Sequence, residues 1–209
     1  LIGACIGHVP LNKVNTGKEI KPGNLIVGLA SSGVHSNGLT LARRVLLGEN
    51  QEEQKSRVND YEEFLGQTLG EALLEPTRIY VKPVMQMLDS GLDLKAMVHI
   101  TSGGLCNLNR VESDNIRFVI DTLQPVPEIF NLIQDRGGVS EAEMFEVFNM
   151  GTGFCLIVEG TQEVEAISKI CKEHDLPCQV IGHVEACQGK EVFLPQKQLI
   201  GKGSRFQNS

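Results

Sequence analysis

Residues 25–43 join a wholly apolar run to a helical pattern through a knot of small polar residues, Leu-Ile-Val-Gly-Leu-Ala-Ser-Ser-Gly-Val-His-Ser-Asn-Gly-Leu-Thr-Leu-Ala-Arg. The run from Leu25 to Leu29 has the length and composition of a buried strand. Leu39, Ala42, Val45 and Leu46 fall on one face of a helix, and Ser36 or Asn37 stands where it can cap that helix. A strand that feeds a glycine-containing turn and then a helix N-terminus aims several backbone N–H groups the same way, with the helix dipole behind them. Such a turn suits a phosphate or another anion; the alternative is an ordinary polar turn with an N-cap. Three serine hydroxyls, an imidazole and an amide between residues 31 and 37 favour the site.

The pattern recurs. An apolar strand from Leu94 to Ile100 runs into Thr101-Ser-Gly-Gly-Leu-Cys-Asn-Leu-Asn-Arg110, which reads as a second turn entering a short helix. Gly103 and Gly104 would let a ligand come close to the main chain. Two such turns in one domain point to a shared cleft more strongly than either alone.

The remaining segments read in order. Leu1 to Val9 looks like a strand already under way, so the chain reads as a domain of something longer. The first helix should fail near Gly48, and the charged stretch Gln51 to Asp60 reads as an exposed, mobile connection. Tyr61 to Leu65 reads as a short helix and Leu69 to Leu74 as another ordered piece. From Glu75 to Pro83 two prolines bracket an extended run with Arg78, Tyr80 and Lys82 on one side. Pro83 then opens a helix over Val84 to Leu88. Strands are expected at Ile116–Asp121, Phe154–Val158 and Gln179–Val184, the last pairing with Lys190–Leu194. Helices are expected at Pro127–Asp135, from the capping signature Ser140–Glu143, and at Gln162–His174. The tail beyond Gly201 reads as polar and frayed, with Lys202 and Arg205 within reach of a ligand or partner. The sum is an α+β (layered α/β) domain, a mixed sheet with helices packed on it.

Composition narrows the partners. Nineteen basic against 26 acidic residues leave a net charge of -7, which argues against nucleic acid. No apolar stretch is long enough to span a membrane. The six cysteines are scattered singly and read as free thiols of a reducing cytoplasm, and Cys171, His174, Cys178 and His183 match no zinc module. No metal ligand set is assigned. Neither a dinucleotide fingerprint nor a P-loop occurs. His35 can donate to a phosphate, shuttle a proton or orient its own turn; His99, inside a strand, reads as a structural hydrogen-bonding group. Asp121 is placed to hold a cation or ribose hydroxyl, or merely to cap a strand end. From the residues alone this is a phosphate-binding domain of open chemistry.

Several stretches together resemble one family. They are Pro22 to Gly38, Leu74 to Pro83, His99 to Gly104, Val139 to Phe145 and Phe148 to Gly153, in matching order over nearly the whole chain. They resemble the C-terminal half of aminoimidazole ribonucleotide synthetase, also called phosphoribosylformylglycinamidine cyclo-ligase. The Ser-Ser-Gly-Val-His-Ser-Asn-Gly turn is similar to that of wider relatives as well, among them thiamine-monophosphate kinase and a hydrogenase maturation factor. One departure is Ser102, where the family usually has the first of three glycines; serine keeps the helix-start geometry.

The resemblance implies a step of purine biosynthesis. ATP, with magnesium, activates the amide oxygen of formylglycinamidine ribonucleotide, and an internal nitrogen then closes the imidazole ring. It implies that Ser31, Ser32, Gly33, Ser36, Asn37, Thr101, Ser102, Gly103, Gly104, Asn149 and Gly151 hold the phosphoribosyl substrate, with His35 as the catalytic side chain. It also implies that residues 1–209 are a single C-terminal substrate-binding domain. ATP and Mg2+ would then be held mainly by an N-terminal domain absent here, which also builds a homodimer, and no cofactor is required by this chain alone. The isolated chain should be inert. The competing expectations are a stand-alone binding or regulatory module, and a related amidoligase or kinase domain.

Overall fold

The computed structural model describes residues 4–209. The N-terminal strand expectation falls partly on residues 1–3, outside that range; from residue 4 to Val9 the chain forms no strand and pairs with nothing in the sheet. Ile6, Val9, Leu11 and Val14 are exposed, so no core rewards a strand there.

Strand β1 (Leu25–Ala30) is buried along nearly its whole length, as its unbroken apolar run requires. It enters helix α1 (Leu39–Leu47) through the polar turn. Gly48 ends α1 where the sequence places its end. Next comes α2 (Gln51–Arg57), where the sequence reads as a mobile connection. This helix buries nothing and is held by its ends. The Asn50 side chain accepts from the N–H groups of Glu52 and Glu53 at 3.1 and 3.0 Å, a cap of about 1 kcal/mol. Arg43 and the Gly48 carbonyl hold Gln54 from the other side. Charge without apolar periodicity hid a helix made by capping.

The short helix read over Tyr61–Leu65 is instead a hairpin of β2 (Tyr61–Glu62) and β3 (Gln67–Thr68). Five residues offered too little apolar surface to a core, and the turn before Gln67 pairs the backbone across the loop. Thr68 then caps α3 (Leu69–Leu73) through a full capping box with Glu71. The run from Glu75 to Pro83 is no strand. Helix α4 (Val81–Asp89) begins before Pro83, which sits in its first turn where a missing N–H costs nothing. Arg78, Tyr80 and Lys82 therefore part company: Tyr80 is buried and Lys82 exposed.

Strand β4 (Ala96–His99) leads into a 3-10 segment, Gly104–Arg110. Then follow β5 (Ile116–Ile120), α5 (Glu128–Gly137), α6 (Glu141–Val147), β6 (Thr152–Val158), α7 (Thr161–Glu173), β7 (Cys178–Ala186) and β8 (Lys190–Leu194). The tail, expected to fray, forms the hairpin β9 (Leu199–Lys202) and β10 (Arg205–Asn208). One aromatic anchors it: Phe206 is buried with its ring 6.2 Å from Phe145, and its N–H reaches Glu146.

The sheet order is β10-β9-β8-β5-β7-β1-β6-β4. All of its pairs are antiparallel except β5 with β8, so the sheet is mixed, as the α+β reading requires. β8 does not pair with β7, because β5 is inserted between them; the β7–β8 turn wraps the start of β5 through Gly189 and Cys187. One face carries α1, α3, α5, α6 and the 3-10 segment over Ile26, Val98, Phe118 and Ile157. The other carries α4 and α7 over Val27, Leu29, Leu156 and Val158. Alternate residues of β1 thus feed two cores, which is why the strand reads as continuously apolar.

Candidate functional site

β1 and β4 both pair antiparallel with β6, so they run the same way and end at the same edge of the sheet. The turn after β1, the turn after β4 and the turn before β6 therefore meet there. Backbone bonds tie them: Ser31 N–H donates to the Gly151 carbonyl at 2.9 Å, and Ile100 N–H to the Gly153 carbonyl at 3.0 Å. Asn149 locks the junction. Its amide donates to the Gly33 carbonyl at 2.8 Å while its oxygen accepts from Gly151 N–H at 3.0 Å.

The expected side-chain cap on α1 is not made. Gly38 is the N-cap, at φ 81, and no side chain accepts from the first turn. A β-carbon at Gly38 would lie 2.3 Å from the Phe148 ring, so only glycine brings the helix start this close to the core. Ser36 instead meets Thr77 Oγ1 at 3.3 Å. The first N–H groups of α1 are left without a side-chain cap, as an anion site requires.

His35 holds the middle of the turn in a left-handed conformation, φ 60, and is 8% exposed. Its Nε2 accepts from Ser32 N–H at 3.1 Å and lies 3.0 Å from Ser32 Oγ. A backbone N–H can only donate, so Nε2 is the unprotonated nitrogen and the ring's proton sits on Nδ1. Burial chiefly, then the nearby His99 and Arg78, pushes the imidazole down to about 4. At neutral pH it is a neutral donor through Nδ1, not a base. Ser32 Oγ donates at 2.7 Å to the Pro76 carbonyl, drawing the segment 75–80 over the turn.

Three buried polar atoms around this turn have no partner: Ser31 Oγ, His35 Nδ1 and Arg78 Nε. Each is a group that water or protein would normally satisfy, at about 1–3 kcal/mol if left alone. All three can donate, and Arg78 brings a positive charge. Donors of this kind suit an anion and not a cation. Among the described residues no three of His, Cys, Asp and Glu gather as a metal cage. His183 bridges Asp121 and Glu185 at 3.2 Å each, on the opposite reach of the sheet, and His174 meets Gln86.

The turn after β4 is built differently. Asn107 accepts from Thr101 N–H at 2.7 Å and from its hydroxyl at 3.1 Å, and donates to the Ser102 carbonyl at 2.9 Å. A β-carbon at Gly104 would lie 1.8 Å from the Phe145 carbonyl oxygen. The close approach that the paired glycines permit is thus made by the protein's own α6, while Ser102 faces solvent. The two turns also border separate hollows. Ser32 and Gly33 open on one of about 270 Å³, and Thr101 and His99 on a groove of about 530 Å³ along the edge of β4. Between them stand Tyr80 and Gly153. The Tyr80 ring lies 6.4 Å from His35 and 6.1 Å from His99, and its hydroxyl donates to the Ala30 carbonyl at 2.9 Å. A β-carbon at Gly153 would meet that hydroxyl at 1.9 Å. His99 stacks on Phe154 at 6.0 Å.

Reasoning from the sequence did not assign Arg78, Tyr80, Asn107 or Gly153 to the site. Arg78 and Tyr80 were visible as a charged and an aromatic residue between two prolines. Nothing local marks Asn107 or Gly153, whose roles depend on a neighbouring strand and a loop.

The sequence profile described as AIR synthase related protein, C-terminal domain, matches residues 21–195. The phosphoribosylformylglycinamidine cyclo-ligase of Methanocaldococcus jannaschii is 44% identical over 186 residues, covering 88% of this chain and 51% of the relative. That of Methanopyrus kandleri is 43% identical over 195 residues, 93% of this chain and 53% of the relative. The chain spans about half the length of the curated relatives it matches. Among solved structures, thiamine-monophosphate kinase from Stenotrophomonas maltophilia aligns with a TM-score of 0.53 at 18% identity, over 88% of this chain and 54% of that one. The E. coli hydrogenase maturation protein HypE aligns with a TM-score of 0.52 at 18% identity, over 89% and 51%. These two share the fold.

Proposed function

The chain belongs to the family of AIR synthase related proteins, as their C-terminal domain, and from that premise we propose that it is the substrate-holding half of an ATP-dependent phosphoribosylformylglycinamidine cyclo-ligase. In this reading the full protein closes the imidazole ring of aminoimidazole ribonucleotide from formylglycinamidine ribonucleotide, in cytoplasmic purine biosynthesis. The observation that carries the role of this half is the trio of unpartnered buried donors, Ser31 Oγ, His35 Nδ1 and Arg78 Nε. The substrate's phosphate is the anion that satisfies them.

Ser31, Ser32, Gly33, Ser36 and Asn37 form the phosphate turn, backed by the N–H groups that open α1. Asn149 and Gly151 hold its shape, and Thr101, Ser102, Gly103 and Gly104 stand across Tyr80 from it, Thr101 lining the neighbouring groove. His35 donates to the bound anion and holds the turn through Ser32. ATP, when bound, supplies the phosphoryl group that makes the amide oxygen a leaving group. Donors of this kind suit anions, and in this reading ATP and magnesium are held mainly by the other half of the full protein. Ile79, Val81 and Met85, at or just before the first turns of α4, are 76%, 66% and 47% exposed. Apolar surface of that kind supports a covering partner, the N-terminal half or a second copy in a homodimer. No helix among the described residues is long and apolar enough to cross a membrane.

Calorimetric titration with formylglycinamidine ribonucleotide tests the reading. Wild-type chain binds, and Ser31→Ala and Arg78→Met each weaken binding roughly tenfold or more, the worth of a hydrogen bond to a charged group. Equal affinity in all three proteins would refute the site. Ring closure by the 209-residue chain alone would refute the division of labour.

A further inference from the structure

We propose that Cys171 and Cys178 are a redox-modification site, closing reversibly to an intramolecular disulfide directly behind the phosphate turn. Cys171 sits near the end of α7, wholly buried; Cys178 opens β7 and is partly exposed. Leu176 N–H donates to the Cys171 carbonyl at 2.9 Å, folding the connecting turn back on the helix end. Cys178 follows two residues later, on the same side of the extended chain as Leu176. Its sulfur lies 3.9 Å from Ser168 Oγ. Ser168 is one helical turn before Cys171 and shares its face, so the Cys178 thiol lies over the face of α7 that carries Cys171. Both side chains pack in the same apolar cluster with Leu29.

The proximity of the two thiols raises Cys171 and, with Ser168 helping, holds Cys178 below the ordinary thiol range. The attacking sulfur is therefore the more exposed one, and the buried one resolves it. By contrast, burial pushes Cys106 and Cys155 up to about 12.

The oxidant is a hydroperoxide. The Cys178 thiolate attacks one peroxide oxygen, the O–O bond breaks, and the departing hydroxide takes up a proton as water. Cys178 is then a sulfenic acid. The Cys171 sulfur attacks the Cys178 sulfur, the S–O bond breaks, and the hydroxide leaves as a second water with the Cys171 proton. Two thiols and one hydrogen peroxide become one disulfide and two waters, and a dithiol reverses the bond by exchange.

The turn between the two cysteines is tied to the phosphate turn at two points. The Pro177 carbonyl accepts Ala30 N–H at 2.9 Å, and the Asp175 carbonyl accepts from the Arg78 guanidinium at 3.3 Å. Cys178 itself lies opposite Leu29 in the sheet. A disulfide re-aims this turn and loosens the support of Ala30 and Arg78 together.

The test treats the wild-type chain with hydrogen peroxide, alkylates the remaining thiols and maps the peptides by mass spectrometry. The expected product is a linked Cys171–Cys178 pair, lighter by two hydrogens and released by dithiothreitol, with faster hydrogen exchange at the Ala30 amide. Before oxidation Cys178 should react with iodoacetamide at neutral pH about tenfold faster than Cys187. Cys171→Ala should leave Cys178 as a dimedone-trappable sulfenic acid. If that variant does not fold, the wild-type map decides by itself. Oxidation that links other cysteines first, or that stops at Cys178 sulfinic acid with Cys171 still a thiol, would overturn the proposal. None of these readouts depends on which ligand occupies the phosphate turn.

Discussion

Replacing His35 with glutamine should flatten the acid side of the stability profile. In the unfolded chain this imidazole titrates at the ordinary 6.5; in the fold, burial first and His99 and Arg78 next bring it to about 4. Between these values the unfolded state takes up a proton that the native state refuses, so stability falls as pH drops through the window and is fully present above 6.5. From the two values, lowering the pH from about 7 to about 5 removes about 2 kcal/mol through this one group. Glutamine offers an oxygen to accept from Ser32 N–H and does not titrate. Urea unfolding followed by circular dichroism at the two pH values measures the difference. Wild type should lose about 2 kcal/mol more than His35→Gln, and the imidazole protons of His35 should show an NMR midpoint well below those of an exposed histidine. His99, also lowered by burial, is present in both proteins and cancels. Equal losses in wild type and variant, or a His35 midpoint at the ordinary value, would refute the buried neutral donor.

Three further substitutions separate holding the fold from holding the ligand. Ser31→Ala removes a buried hydroxyl without a partner, so thermal melting should show unchanged stability or a gain of up to about 1 kcal/mol, while anion affinity falls. Gly153→Ala places a β-carbon 1.9 Å from the Tyr80 hydroxyl and 2.8 Å from its ring carbon. Tyr80 must then swing and give up Ala30, costing about 2–3 kcal/mol in chemical denaturation; a neutral result would show that the ring is not held there. Asn149→Ala strips the Gly33 carbonyl and the Gly151 N–H of their partner. Both are buried, so the loss should be about 2–3 kcal/mol, with faster amide exchange at Gly151.

The strand, polar turn and helix from Leu25 to Leu47 were legible because each depends on neighbours in sequence: an apolar run, a cluster of turn residues, a 3.6-residue period. For the same reason Gly48 ended its helix as expected, and the mixed sheet with helices followed from the alternation of such units. What failed locally failed for a physical reason. The helix over Gln51–Arg57 rests on caps and not on an apolar face, and the last hairpin rests on Phe206 reaching Phe145, 61 residues away in sequence. The turn between β1 and α1 could be marked as a candidate site from its residues, but its internal chemistry could not. That His35 is a neutral donor comes from Ser32 closing on Nε2 and from burial under residues of another loop. That Arg78 and Tyr80 stand beside it comes from a segment the sequence presents only as an extended run between two prolines. Sequence by itself determined where β1 gives way to a polar turn and a helix, and marked that turn as a candidate for an anion, because those are short-range properties of backbone and side chain. Only the tertiary structure decided which donors stay unpaired and where the proton sits, because burial and partner choice are set by segments brought together from far along the chain.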